Sequence, residues 1–91
     1  MDIKQEEGRH YIESNDGSLL AEITYVSAGE TRVIIDHTFV AEEQRQEGLG
    51  AKLVSSVVSD MRDKNKKIIP LCPFAKAEFE RNKEYQSLLA N

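Results

Sequence analysis

Residues 39–54 read FVAEEQRQEGLGAKLV, and in this stretch the chain changes from strand-like to helix-like patterning. The residues before it, Thr31 to Val40, are rich in β-branched and aromatic side chains and predict a strand. Ala41 to Glu47 shows no apolar periodicity and predicts a loop. From Gly48 the apolar residues recur at helical spacing, which predicts an amphipathic helix that ends near residues 63–65. Its apolar stripe comprises Leu49, Leu53, Val54, Val57, Val58 and Met61.

The segment Arg45-Gln46-Glu47-Gly48-Leu49-Gly50 joins this strand to this helix and has the features of an anion site. The first amides of a helix lack an internal partner, and the helix dipole adds partial positive charge there. Glycines let the backbone approach an anion closely, and Arg45 can add a charge-assisted hydrogen bond. The alternative is that Gly48 and Gly50 only make a tight turn between strand and helix. The segment lacks the Gly-Lys-Ser/Thr and Gly-x-Gly-x-x-Gly patterns of the common nucleotide loops.

The first forty residues predict an antiparallel meander. A strand is expected over residues 9–14, with a possible extension back to Ile3, and the turn Asn15-Asp16-Gly17 follows it. A second strand is expected from Leu19 to Val26, and a turn over residues 27–30 leads into the strand that ends at Val40.

After the long helix the chain predicts one more strand and one more helix. Residues 66–72 form a short apolar segment whose Pro70 favours an edge position. Pro73 fits the first turn of a helix, and Tyr85, Leu88 and Leu89 predict a final helical turn. The predicted fold class is α+β, a mostly antiparallel sheet with helices packed on it, in the order β-β-β-α-β-α.

Length and composition limit the class of protein. The 91 residues predict a single domain over 1–91, and 40% apolar with 31% charged residues is typical of a globular chain. A net charge of −4 argues against general nucleic-acid binding, which requires a basic surface. No apolar run reaches the ~20 residues of a membrane span, and residues 1–7 do not resemble a signal peptide. With a single cysteine, these features lead us to expect a cytoplasmic protein without membrane contacts.

Three ordered segments resemble the GCN5-related N-acetyltransferase family. The pattern Arg-x-x-Gly-x-Gly at residues 45–50 is similar to that family's acetyl-CoA loop. Residues 37–40 before the loop, and residues 72–76 with residues 80–85 after it, resemble the small, minimal branch of the family. The resemblance covers about residues 10–89 and implies a minimal acyl-CoA N-acyltransferase-like fold. Asn82-Lys83 departs from that branch, which often has a proline there.

The resemblance also implies a cosubstrate, acetyl-CoA, and the residues that hold it. The side chains of Arg45 and Gln46 and the backbone around the glycines would bind the pyrophosphate of coenzyme A. The pantetheine arm would run along the strand of Phe39 and Val40 toward Cys72. The implied cofactor-binding residues are Phe39, Val40, Arg45, Gln46, Glu47, Gly48, Leu49, Gly50 and Ala51.

Two residues are candidates for chemistry. Cys72 follows an apolar strand and precedes Pro73, so it stands at the expected start of a helix, where a thiol pKa is lowered; the alternative is a buried cysteine that packs as a small hydrophobe. His37 has a side chain suited to a general base, and strand alternation predicts that it shares a face with Ile35 and Phe39. The alternative for His37 is a half-exposed strand histidine, and His10 is expected on the surface.

The remaining charged groups predict little chemistry. The carboxylates Asp36, Glu42, Glu43 and Glu47 lack partners at metal-ligand spacing, so no metal site is expected. Lys64, Lys66 and Lys67 form a basic patch that would meet a 3′-phosphate only if it lay near the cofactor.

Three functions stay open at this point. The first is an acetyltransferase that moves acetyl from acetyl-CoA to an amine or thiol acceptor, which can be a protein, either directly with His37 as base or through Cys72. The second is a non-catalytic sensor or regulatory module that binds CoA or acyl-CoA. The third is an interaction protein with an empty cradle. A monomer or a weak homodimer is expected.

Overall fold

In the computed structural model, which describes residues 2–90, five strands form one sheet whose spatial order follows the chain. The strands are β1 (Lys4–Glu6), β2 (Arg9–Glu13), β3 (Leu19–Ser27), β4 (Arg32–Val40) and β5 (Lys67–Pro70). Strands β1 to β4 pair antiparallel, whereas β5 lies parallel to β4 because a helix crosses over between them. The mixed, mostly antiparallel sheet confirms the predicted fold class.

Two α-helices and two 3₁₀-helices complete the described fold. Helix α1 spans Leu49–Asp63 and α2 spans Pro73–Arg81, as the sequence predicts. The segment predicted as a loop contains the 3₁₀-helix Glu42–Glu47, and the final turn is the 3₁₀-helix Lys83–Leu88. Strand β1 was not predicted as a separate element. Among the described residues, no helix combines the length and apolar character needed to cross a bilayer.

The apolar stripe of α1 packs on one face of the sheet and forms the core. The predicted stripe residues, including Leu53, Val54 and Val57, are all buried, together with Ile23 and Ile35 of the strands. Each such side chain stabilises the fold by about 1.5–3 kcal/mol when it leaves water. This packing fixes the start of α1 beside the end of β4.

A β-bulge in β4 changes which side chains face this core. Tyr25 pairs with Ile35 but Thr24 pairs with His37, so Asp36 is an extra residue on β4. Ile35 points into the core, and Thr38, which pairs with buried Ile23, returns to that face. The prediction that His37 and Phe39 share a face with Ile35 is therefore wrong, because one inserted residue reverses the alternation. Both side chains are exposed on the opposite face.

His10 was expected on the surface, but it is fully buried beneath α1. Its Nδ1 lies 2.7 Å from Ser56 Oγ, and its Nε2 lies 3.5 Å from Asp60 Oδ2. Its ring meets the edge of Tyr25 with centroids 5.7 Å apart. The spacing of two residues from buried Ile12 already placed His10 on the core face. Burial, which Asp60 partly offsets, lowers the pKa of His10.

Burial of His10 predicts a loss of stability in mild acid. Because the pKa of His10 lies below the ordinary value of 6.5, the folded protein binds fewer protons than the unfolded chain. The free energy of unfolding should therefore fall as the pH drops below about 6.5 and level off below the folded-state pKa. Urea denaturation between about pH 7 and pH 5 should show this slope, at most about 1.4 kcal/mol per pH unit. The slope should be smaller in His10→Gln and unchanged in the control His37→Gln; equal slopes in all three proteins would contradict the assignment.

Candidate functional site

A cleft of about 440 Å³ opens where β4, the start of α1 and α2 meet. Pairing between β4 and β5 ends at Ile35 and Pro70, next to the bulge, so the last residues of β4 lack a β5 neighbour. Helix α2 lies across this gap and forms the opposite wall. The residues that line the cleft are Thr38, Val40, Arg45, Gly48, Gly50, Ala51, Phe74, Glu78 and Arg81.

The start of α1 forms one end of the cleft. Gly48 is the N-cap of α1 and has a left-handed backbone with φ of +71°, a conformation that glycine adopts without a steric cost. The amide of Lys52 donates to the Gly48 carbonyl at 3.1 Å, which is the first i to i−4 hydrogen bond of α1. The amides of residues 49–51 precede that bond, at the positive end of the helix dipole. This end of the cleft is therefore suited to an anion, and Arg45 adds a full positive charge to it.

Gly50 allows α1 to approach β4 and α2 closely. A β-carbon at this position would lie 2.8 Å from Cζ of Phe74 and 3.4 Å from Cγ2 of Val40. The ring of Phe74 thus covers the first turn of α1 and is itself partly exposed in the cleft. Both glycines therefore have a local structural reason, which is conformational at Gly48 and steric at Gly50. A β-carbon at Gly48 would meet no atom within 4 Å, whereas Gly50 is buried against Phe74.

Cys72 lies beside the middle of β4, next to Ile35 and Thr38, and directly before α2. The amides of Leu71 and Cys72 both donate to the Ile35 carbonyl, which turns the chain away from β5 at the bulge. Cys72 Sγ is 3.3 Å from Thr38 Oγ1, so the sulfur contacts the wall of the cleft. Burial alone would raise the pKa of Cys72, but the Thr38 hydroxyl and the amides of Phe74 and Ala75 outweigh it, and the thiol pKa is lowered. These groups stabilise the thiolate, the nucleophilic form.

An ion pair on α2 contributes charge to the far wall. Glu78 is buried, with 5% of its surface exposed, and its Oε2 lies 3.0 Å from Nη1 of Arg81. Arg81 extends toward solvent at the cleft mouth. Within the cleft lining, Arg81 and Arg45 are the cationic side chains, and they come from different elements.

The structure brings together some of the predicted site residues and separates others. Val40, Arg45, Gly48, Gly50 and Ala51 line one cleft, and Cys72 touches it through Thr38.

The other predicted residues lie elsewhere. Leu49 has a buried side chain in the core, while Gln46 and Glu47 have exposed side chains. Phe39 and His37 lie on the opposite face of β4, away from the face where Cys72 meets Thr38.

Four lining residues were not predicted as site residues: Thr38, Phe74, Glu78 and Arg81. Thr38 was hidden by the bulge, which the sequence does not mark with a glycine or proline. Glu78 and Arg81 are three apart, so they share one face of α2, and that spacing was the available signal.

The basic patch of Lys64, Lys66 and Lys67 lies far from the cleft. It follows the C-terminus of α1, a helix of 15 residues, and is therefore roughly 22 Å from the helix start. Lys64 pairs with Asp60, and Lys67 donates to the Ser87 carbonyl at 2.6 Å. This position does not suit the contact with a 3′-phosphate considered from the sequence.

Comparisons with solved structures agree with this architecture. A GCN5-like candidate N-acetyltransferase from Staphylococcus aureus is 40% identical, with a TM-score of 0.82 over 99% of this chain and 88% of that protein. Ard1 from Thermoplasma volcanium is 25% identical, with a TM-score of 0.59 over 66% of this chain and 40% of its own. A GNAT-family acetyltransferase from Staphylococcus aureus Mu50 shares the fold, with a TM-score of 0.65 and 18% identity over 81% of this chain and 50% of its own.

Comparison with family profiles assigns the chain to a family. Among curated proteins, none matches it significantly. The profile described as GCN5-related N-acetyl-transferase matches residues 9–88, which include the whole cleft. The chain belongs to the GCN5-related N-acetyltransferase family.

Proposed function

We propose that this chain binds acetyl-CoA in the cleft and transfers its acetyl group, through Cys72, to an amine or thiol acceptor. The observation that carries the proposal is the continuity of the cleft. One end presents the first turn of α1 with Arg45, and the other end presents Thr38, which touches Cys72. An anionic head and a reactive thioester, which acetyl-CoA carries at opposite ends, would match these two ends.

The diphosphate would lie at the start of α1. Backbone amides of residues 48–51 would donate to its oxygens, and the helix dipole would favour its charge. Arg45 lines this part of the cleft and would add a charge-assisted hydrogen bond. Gln46 and Glu47 would contribute through their backbone, because their side chains are exposed.

The pantetheine arm would follow the last residues of β4. Val40 and Phe74 give this part of the cleft apolar walls, which suit the methyl and methylene groups of the arm. The edge of β4 beyond Ile35 lacks a neighbouring β5 residue, so its backbone is free to pair with the arm's amides as an added strand would. The thioester would then reach the Thr38 end of the cleft.

Cys72 is placed to act as the nucleophile. Its thiolate would attack the thioester carbonyl, forming a new carbon–sulfur bond while the bond to the coenzyme sulfur breaks; coenzyme A leaves and takes up a proton from water. The acceptor amine or thiol would then attack acetyl-Cys72, lose a proton to water and restore the Cys72 thiolate. This route fits the structure better than direct transfer with His37 as base, because His37 lies on the opposite face of β4.

Binding should depend on Arg45. We expect Arg45→Ala to weaken coenzyme A binding about tenfold, the loss typical of one charge-assisted hydrogen bond, measured by isothermal titration calorimetry. The matched control is Arg32→Ala at the far end of β4, which should bind as the wild type does. The loss should be equal for coenzyme A and 3′-dephospho-coenzyme A, because the contact is with the diphosphate. Unchanged affinity in Arg45→Ala would contradict this placement.

Acetyl transfer through Cys72 should leave an acetyl group on this residue. After mixing with acetyl-CoA, intact-mass analysis should show the gain of one acetyl group, which is lost in Cys72→Ala and retained in His37→Ala because only Cys72 carries the group. Transfer to an amine pool should follow the same pattern. Transfer that survives Cys72→Ala but fails in His37→Ala would instead support the direct route. Binding without acetylation or transfer would contradict an enzyme and support a sensor.

A further inference from the structure

We propose that Thr38 is a positioning residue that holds the side chain of Cys72 and keeps it ready as a thiolate. The inference rests on the proposed function, in which Cys72 is the nucleophile. It begins from the contact of 3.3 Å between Cys72 Sγ and Thr38 Oγ1. In the thiol form the sulfur donates to the hydroxyl oxygen, and in the thiolate form the hydroxyl donates to the sulfur.

Thr38 owes its position to the bulge. If the four residues 35–38 alternated regularly, with no bulge at Asp36, His37 would share the core face with Ile35 and Thr38 would turn outward. With the bulge, Thr38 pairs with Ile23 across the sheet and faces Cys72 at the start of α2. Because of the bulge, the neighbour of the sulfur is the neutral hydroxyl of Thr38 and not the imidazole of His37.

Polar groups from two elements favour the charged form of the sulfur. The Thr38 hydroxyl contacts the sulfur at 3.3 Å. The backbone amides of Thr38, Phe74 and Ala75 also lower the thiol pKa, although the Cys72 side chain makes no capping hydrogen bond at the start of α2. All of them favour the charged form, against the effect of burial. The side-chain hydroxyl is the one donor of this set that a substitution can remove without altering the backbone.

Charged groups on the surrounding elements are engaged elsewhere. Glu78 and Arg81 on α2 pair with each other at 3.0 Å. Asp36 on β4 accepts a hydrogen bond of 2.6 Å from Thr24 Oγ1, and His37 is exposed on the opposite face. Arg45 lies at the α1 end of the cleft. The hydroxyl of Thr38 is thus the side-chain group in contact with the sulfur.

The test is the pH dependence of alkylation by iodoacetamide in the absence of coenzyme. The protein has one cysteine, so the alkylation rate reports Cys72 alone. Thr38→Val keeps the β-branched shape and removes the hydroxyl; it should raise the midpoint of the pH–rate profile by about one pH unit, with about tenfold slower alkylation below the midpoint. Thr38→Ser keeps the hydroxyl and should retain the wild-type midpoint. The matched control is Thr31→Val, which removes the hydroxyl of an exposed threonine directly before β4 and should leave the midpoint unchanged.

The outcomes separate a positioning role from a structural one. A loosened or more accessible site would change the plateau rate at high pH, whereas loss of the hydrogen bond moves the midpoint. If Thr38→Val does not fold by circular dichroism, Thr38→Ala provides the same comparison. A wild-type midpoint in the variants that lack the hydroxyl would overturn the proposal. A shifted midpoint in a protein that never becomes acetylated would sustain the role of Thr38 and reject the acetyl-transfer route instead.

Discussion

The bulge at Asp36 is the constraint on which the site depends. It shifts the register between β3 and β4, and next to it β5 separates from β4 at Ile35 and Pro70. The gap that results becomes the cleft, and the same inserted residue turns Thr38 rather than His37 toward Cys72. A single extra residue in one strand thus lies beside the opening of the cleft and determines which side chain lies beside the sulfur.

Helix α1 gives the cleft its second property, a concentration of positive potential. Its buried stripe holds it firmly on the sheet, and that packing aims its first turn at the end of β4. Gly50 permits the close approach that brings Phe74 over the helix start. The parts of the molecule that stabilise the fold therefore also orient the groups proposed to hold the diphosphate.

Much of the fold was predictable from the sequence wherever the local residue pattern agrees with the tertiary packing. The stripe from Leu49 to Met61 predicted α1, and Pro73 predicted the start of α2, because each signal is local. Residues 4–6 were considered only as an extension of the next strand, since they are polar and exposed and only pairing with β2 defines them as a separate strand. The bulge has no local marker in the sequence, and so the prediction that His37 and Phe39 share a face with Ile35 was wrong. Glu78 and Arg81 became site residues only through the packing of α2 across the cleft.

The central claim is that the amides at the start of α1 bind the diphosphate of coenzyme A. Titration of isotope-labelled protein with coenzyme A, followed by two-dimensional NMR of the backbone amides, tests it directly. The account predicts that the largest chemical-shift changes occur at Gly48, Leu49, Gly50 and Ala51, and that they saturate together. Saturable binding that leaves these four amides unmoved, with changes confined to the basic residues beyond the other end of α1, would contradict it.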